Sequence, residues 1–199
     1  RHGSSIPKHI CGKDGNAIGA KYTCPECGQS YRVIDAIKRF GKPKEKLFAL
    51  EYYCTECNAK GYKSIEECDN KLFEKAKKEF EEKKAGWLGK IIPNQKIPFG
   101  YNTKQMINFD YVYFQDMFNE RQLLCLGKLL EAISKMADQN IQEHFLLAFS
   151  SLLNYSNMFC KYDATKNHLT DLFRTHAYHP SNMPVENNVW GTRFGRDTF

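Results

Sequence analysis

The sequence has few of the features that mark membrane, disordered or secreted proteins. No apolar run approaches the roughly 18 residues that span a bilayer, so we expect no membrane partner. Hydrophobic residues make up 42% of the chain and aromatic residues 14%, which excludes a disordered tail. The eight cysteines are unevenly placed, and this favours a reduced, cytoplasmic environment over a disulfide framework.

Positive charge is concentrated in the first half of the chain. Residues 1–100 carry 20 Lys and Arg against 13 Asp and Glu, whereas residues 101–199 carry 9 against 10. A cationic surface attracts polyanions, and nucleic acid above all. A surface that only keeps the protein in solution would carry the same charge, so the balance alone leaves both interpretations open.

Two Cys-x-x-Cys pairs stand in this basic half, in the strings TCPECGQ and YCTECNA. Zn²⁺ takes four tetrahedral ligands and favours thiolates, and one tight turn can offer two sulfurs to the same ion. The spacing is typical of a zinc ribbon with a structural Zn²⁺, whose predicted ligands are Cys24, Cys27, Cys54 and Cys57. A closed site of this kind stabilises a fold and performs no catalysis. Two disulfides or a redox-active pair are the alternatives.

The segment between the two pairs is rich in cations. Strands are expected over 21–23 and 47–53, and the string GKPK predicts a turn at the tip of the ribbon. The predicted DNA contacts in this segment are Arg32, Lys38, Arg39, Lys42, Lys44 and Lys46. Such contacts bind phosphate groups and do not distinguish one DNA sequence from another. An ordinary exposed hairpin is the alternative interpretation.

A nuclease is an alternative, because CTECNAKG also resembles the closing knuckle of zinc-stapled HNH endonucleases. Those enzymes need a His base within the cysteine-bracketed segment, and residues 28–53 contain no His and no Asn. The remaining candidates are His176, His179 and Asn182, far downstream in a Pro-bearing loop. This pattern is more typical of surface residues than of a metal site.

The predicted fold class is α+β, with a small β zinc ribbon followed by a mainly helical domain that contains a helix hairpin. We divide the chain into a zinc ribbon with flanking strands at 1–63, a charged helix and linker at 64–104, and a helical domain with an extended C-terminal tail at 105–199. Ser64 and Glu67 form a capping-box pattern at the start of a helix over 64–86.

The helical domain is predicted from capping signals and apolar spacing. Asn119 with Gln122 marks the start of one helix, and DQN at 138–140 separates it from a second over 141–159. The short connection predicts a helix hairpin. The residues expected to face inward are Leu123, Leu126, Leu130, Ile133, Phe145, Leu146, Phe149, Leu152 and Leu153.

Three strings in the second half carry a resemblance to a known family. They are YFQDMFNERQLLCLGKLLEAI, LLNYSNMFCKYDA and PVENNVWG. Their order, with a zinc element before them, resembles the middle region of large bacterial adenine-specific DNA methyltransferases of the restriction–modification type. The matching positions are Phe118 to Leu124, Asn154 to Asn157, and Glu186 with Asn188.

The resemblance implies methyl transfer from S-adenosylmethionine to a flipped adenine in DNA. That chemistry needs an (Asp/Asn)-Pro-Pro-aromatic loop, and the chain contains no Pro-Pro dipeptide. The chain therefore resembles the internal region between the cofactor and catalytic motifs, with S-adenosylmethionine bound only by the full-length parent. We expect no catalytic residue, and DNA and the remainder of the methyltransferase as partners.

In the helical part, Arg121 and Gln122 are the candidate DNA contacts, with helix capping as the alternative. Two other functions remain open for the whole chain. One is a zinc-ribbon module that binds protein, and the other is the zinc-stapled nuclease.

Overall fold

The computed structural model describes residues 9–11, 17–23, 30–42, 44–163, 165–166, 168–175, 178–181 and 184–191. The strands are β1 His9–Cys11, β2 Ala17–Thr23, β3 Ser30–Arg32, β4 Ala49–Cys54, β5 Ala59–Ser64, β6 Lys161–Asp163 and β7 His168–Thr170. The helices are α1 Val33–Phe40, α2 Glu67–Trp87, α3 Lys104–Asn108, α4 Glu120–Ser134 and α5 Gln139–Tyr155, with 3₁₀ turns at Phe114–Met117 and Leu172–Thr175. The mixed α+β class and the predominance of helix are confirmed.

All strand pairs in the described residues are antiparallel. Strands β1, β2 and β3 form one sheet in that order, while β4 with β5 and β6 with β7 form two separate hairpins. The strands expected over 21–23 and 47–53 correspond to the end of β2 and to β4. The hydroxyl groups of Tyr62 on β5 and Tyr162 on β6 are 2.7 Å apart, so the two hairpins touch.

Helix α1 lies in the segment where a ribbon tip was expected. Its buried residue is Ile37, and Gly41 ends the helix with a φ of +80°. Glycine adopts this left-handed conformation at no steric cost. The string GKPK therefore begins at the end of a helix and leads into irregular chain. The sequence did not reveal α1 because an apolar period over eight residues is too short to stand out among charged side chains.

Helix α2 begins later than predicted, and the Ser64–Glu67 capping box is wrong. Ser64 pairs with Ala49 in the sheet, so its backbone is extended. The residue that precedes the helix is Glu66, whose N–H donates to the carboxylate of Asp69 at 3.0 Å. The capping chemistry is thus shifted by two positions.

The hairpin of α4 and α5 is confirmed, together with its capping signals. The Asn119 side chain accepts from the Gln122 N–H at 2.9 Å, and the Gln122 side chain accepts from the Asn119 N–H at 3.1 Å. At the start of α5, Asp138 accepts from the Ile141 N–H at 3.0 Å. These bonds satisfy N–H groups that the first turn of a helix leaves without partners.

Helix α5 departs from the prediction at both ends. Phe145 and Leu146 were expected to face inward, but both are exposed, because the apolar face of α5 is covered only around Phe149 and Leu152. The helix also ends at Tyr155 and does not reach 159.

The early end of α5 is explained by the side chain of Asn157. Its Nδ2 donates to the carbonyl of Leu153 at 2.8 Å and to that of Asn154 at 3.1 Å. These are the carbonyls that backbone N–H groups would bond if the helix continued, so the side chain replaces the next helical turn.

The core consists of three neighbouring clusters of buried side chains. The first lies between α4 and α5 and contains Leu126, Leu129, Ile133, Phe149, Leu152 and Val189. The second contains Ile97, Met106, Tyr111, Met117 and Phe159, and the third joins α2 to α4 through Phe80, Trp87, Ile92 and Leu124. The linker after α2 is therefore irregular, as predicted, but packed. No described helix is both long and apolar enough to cross a membrane.

Candidate functional site

The second cysteine pair lies on the turn between β4 and β5. Cys54 is the last residue of β4 and pairs with Ala59, and the turn ends at Asn58 with a φ of +53°. This turn brings the N–H of Cys57 to 3.5 Å from the sulfur of Cys54. The strand register and the left-handed residue thus place both thiols at one end of the hairpin.

The hydrogen bonds between the two thiols shift their pKa values in opposite directions. The Cys57 thiol donates to the Cys54 sulfur, which also accepts from the backbone N–H groups of Cys57 and Glu56, and these bonds lower the pKa of Cys54. The same thiol–thiol hydrogen bond raises the pKa of Cys57. A sulfur surrounded by N–H donors is stabilised as a thiolate, which is the form that binds metal.

The described pair fits one half of a four-sulfur metal site. Cys54 and Cys57 are free of disulfide bonds, and Cys57 is exposed. Cys24 and Cys27 lie outside the described residues. The complete four-cysteine zinc site, and with it the zinc ribbon, therefore stays a prediction.

One other group of possible metal ligands occurs in the described part of the chain. It contains Glu66, Cys68 and Asp69, whose ligand atoms lie within 4.8 Å of one another. Asp69 caps α2 and also binds the ammonium of Lys63 at 2.9 Å. The capping of α2 explains why these side chains lie close together, so we assign no metal ion to them.

The predicted DNA contacts of the first half fall into two kinds. Lys38, Arg39, Lys44 and Lys46 are exposed, and they form no ion pair within the described residues. Arg32 instead binds Asp35, with its Nε 2.7 Å from the carboxylate. This ion pair raises the pKa of Arg32 and lowers that of Asp35.

Lys42 is half-buried and does not belong with the exposed cations. Its Nζ lies 3.7 Å from the centre of the Tyr111 ring and donates to the backbone carbonyl of Asp116 at 2.8 Å. Desolvation lowers the pKa of Lys42, and burial raises that of Tyr111 to about 12. Lys42 thus holds the end of α1 on the helical part of the chain.

Two exposed aromatic rings accompany the exposed cations. Phe40 is 77% exposed and Phe48 is 76% exposed. The guanidinium of Arg39 lies 5.2 Å from the centre of the Phe40 ring. Both phenylalanines stand close to the cations in the sequence, but only the structure reveals that their rings are exposed.

Arg121 and Gln122 are engaged within the protein. Gln122 is 1% exposed and caps α4, as described above, so its side chain is not presented to a partner. Arg121 binds Glu186 through Nη2 at 2.7 Å and Nε at 2.9 Å, and its guanidinium lies 5.3 Å from the centre of the Phe73 ring. Glu186 also accepts from the side chain of Asn119.

Two residues of the second family-like string are also buried. Ser156 and Asn157 are fully buried, and Asn157 caps α5. Of the nuclease candidates, His176 and Asn182 lie outside the described residues, and His179 is half-buried. A shared site for these three residues therefore stays a prediction.

Comparison with known proteins gave no match: no family model, no curated protein and no solved structure corresponds to this chain. The resemblance to DNA methyltransferases rests on the quoted strings alone.

Proposed function

We propose that the chain is a non-catalytic DNA-binding or target-recognition segment of a bacterial DNA adenine methyltransferase, with a structural Zn²⁺ bound by Cys24, Cys27, Cys54 and Cys57. The observation that carries the proposal is the segment from Lys38 to Phe48. It presents exposed cations and exposed aromatic rings between the two cysteine pairs.

The charge of this segment is available to a ligand. Asp35, just before the segment, is bound to Arg32, and Glu45 within it interacts electrostatically with Lys42. Phosphates are attracted to exposed cations, and each phosphate contact releases counterions from DNA. Exposed aromatic rings add a surface on which unpaired bases stack.

The remaining parts of the chain have supporting roles in this proposal. The zinc site would fix the hairpin of β4 and β5 next to the cationic segment, because a closed thiolate site contributes folding energy and no chemistry. The segment between α3 and α4, which contains Tyr111 and Asp116, holds the end of α1 through Lys42. Methyl transfer and S-adenosylmethionine belong to the full-length parent, and a methyl-transfer assay on this chain should give no product.

The proposal is tested by duplex DNA binding over a range of salt concentrations, measured by fluorescence anisotropy. Lys38→Gln, Lys44→Gln and Lys46→Gln are combined in one variant. The slope of log affinity against log salt should fall by about 0.9 for each phosphate contact removed. The matched control combines Lys75→Gln, Lys78→Gln and Lys90→Gln, which removes the same charge from other positions on the surface.

If the control variant loses as much affinity as the test variant, binding follows net charge and the segment has no special role. If the wild-type chain does not bind duplex or single-stranded DNA at low salt, the proposal is rejected. The variant that lacks Lys38, Lys44 and Lys46 should lose the same affinity for every DNA sequence, because phosphate contacts carry no sequence information.

A second candidate function is a zinc-ribbon module that binds another protein. The observation that favours it is the exposed apolar part of α5, where Ile141, Leu146 and Leu147 face solvent. If Leu147→Glu abolished the binding of a protein partner and left DNA binding unchanged, this candidate would be favoured over the first.

A further inference from the structure

A pocket of about 320 Å³ lies between the end of α5 and the hairpin of β6 and β7. Pockets of roughly this size and upward are typical of small-molecule sites. It is separate in sequence from the cysteine pairs and from the cationic segment, and neither the sequence nor the proposed function uses it.

Two of the side chains that line the pocket, Lys166 and Arg174, donate hydrogen bonds and cannot accept them. Lys166 takes part in no ion pair within the described residues. Arg174 binds Asp163 through Nη1 at 3.3 Å, but a guanidinium has five N–H donors and keeps others for a ligand. A ligand that satisfies both side chains must therefore be rich in acceptors, as an oxyanion is.

The positions of these donors are set by Asp163. Its carboxylate accepts from the Thr165 N–H at 3.1 Å and from the Thr165 hydroxyl at 2.6 Å, and it also holds Arg174. Its backbone carbonyl accepts from the Lys166 N–H at 3.2 Å. Asp163 thus shapes the turn that carries Lys166 and also orients the guanidinium of Arg174.

The other residues that line the pocket indicate which chemical groups the rest of the ligand should carry. Asp171 supplies a carboxylate, which needs a hydrogen-bond donor on the ligand, and His168 supplies a ring that can donate or accept. Leu169 and Tyr155 supply apolar surface. A hydroxyl or amino group on the ligand would donate to the Asp171 carboxylate, which a fully deprotonated anion alone could not do.

We propose that this pocket binds the phosphate group of a nucleotide, with Lys166 and Arg174 on the phosphate and Asp171 on a hydroxyl or amino group of the same molecule. The nucleotide can be free, or it can be the phosphorylated end of a nucleic acid strand. The pocket does not depend on DNA binding by the segment from Lys38 to Phe48.

The test is calorimetric titration of the full 199-residue chain with adenosine 5′-monophosphate and with adenosine. The monophosphate should bind at least about tenfold more tightly than the nucleoside, since charge-assisted hydrogen bonds to the phosphate are absent from the latter. Lys166→Gln should remove most of this difference. Lys161→Gln on the same hairpin is the control, because Lys161 is exposed and does not line the pocket.

Equal affinity for the two ligands, no binding of the monophosphate, or an equal loss in the Lys161 variant would overturn the proposal. A competition step then separates the two sources of phosphate. Displacement of the monophosphate by a 5′-phosphorylated oligonucleotide, but not by the same strand without its phosphate, assigns the pocket to strand ends. Retention of the monophosphate against both strands assigns it to a free nucleotide. The variant with Lys38, Lys44 and Lys46 replaced should bind the monophosphate like the wild type, so that this result is independent of the proposed DNA surface.

Discussion

The six-membered ring of Trp87, the last residue of α2, lies directly against the backbone of Gly127 on α4, where the glycine leaves room for it. A Cβ at position 127 would overlap three atoms of the indole ring, and the ring is fixed in the third core cluster. Replacement of Gly127 by Ala must therefore move the ring or separate the helices.

We expect Gly127→Ala to lower the free energy of unfolding by about 1–3 kcal/mol, the usual cost of overpacking a core. The matched control is Gly86→Ala. Gly86 is also helical, but a Cβ there meets nothing within 4 Å. This control should raise stability by roughly 0.5–1 kcal/mol, because Ala is the better helix former. Denaturant unfolding measures both changes, and effects of the same sign in the two variants would contradict the packing described for Trp87.

Glu186 ties the C-terminal segment to the start of α4. Its side chain is 13% exposed and accepts from Asn119 and Arg121. Glu186→Ala leaves both donors without their partner, so we expect a loss of about 1–3 kcal/mol in the free energy of unfolding. The double-mutant cycle with Arg121→Ala should show strong coupling.

The exposed ion pair between Glu131, in the last turn of α4, and Lys135, just after the helix, serves as the control for Glu186. Lys135→Ala should change stability by no more than about 0.5 kcal/mol, as is usual for an exposed ion pair. If Glu186→Ala costs as little as Lys135→Ala, the described contacts of Glu186 contribute nothing measurable.

Asp163 gives the β6–β7 hairpin a predictable pH dependence. Hydrogen bonds from Thr165, together with the nearby guanidinium of Arg174, lower the pKa of this carboxyl to about 2, against roughly 3.9 in an unfolded chain. A lowered pKa contributes stability that is fully present above the unfolded value and is lost as the pH falls through about 2. Carbon NMR titration of the Asp163 carboxyl should therefore show a midpoint near the lowered value. A midpoint near the unfolded value would mean that the bonds to Thr165 and Arg174 do not form in solution.

The zinc prediction is tested by metal analysis of the purified chain. We expect one zinc ion per chain by native mass spectrometry, and loss of the ion in Cys54→Ser and Cys57→Ser, because both sulfurs are predicted ligands. Cys68→Ser is the control, since Cys68 lies in the exposed group at the start of α2 to which no metal is assigned. Retention of zinc after Cys57→Ser, or its loss after Cys68→Ser, would show that a different set of residues binds the metal.

The features that the sequence predicted are those encoded by neighbours along the chain. The reciprocal caps of Asn119 and Gln122, and the cap at Asp138, are three-residue signals and were found where they were expected. The capping box at Ser64 failed because strand pairing with Ala49 extends the backbone there, and pairing is not visible in a local pattern.

The roles of Lys42 and Arg121 could not be read from the sequence for a related reason. Lys42 bonds a carbonyl 74 positions away, and Arg121 bonds a carboxylate 65 positions away. Each looks like one more surface cation until the fold brings its partner to it. Charge patterns thus identify cations, but only tertiary structure separates those that are occupied from those that are available.

The contact of Lys42 with Tyr111 affects the free energy with which α1 could bind a polyanion. Since this ammonium fixes the end of the helix, Lys38 and Arg39 start from a backbone that is already ordered. A polyanion that engages them has only side-chain rotamers left to freeze, at roughly 0.5–1.5 kcal/mol for each long side chain. A substitution that breaks the contacts of Lys42 would therefore weaken polyanion binding by α1, although Lys38 and Arg39 keep their charges.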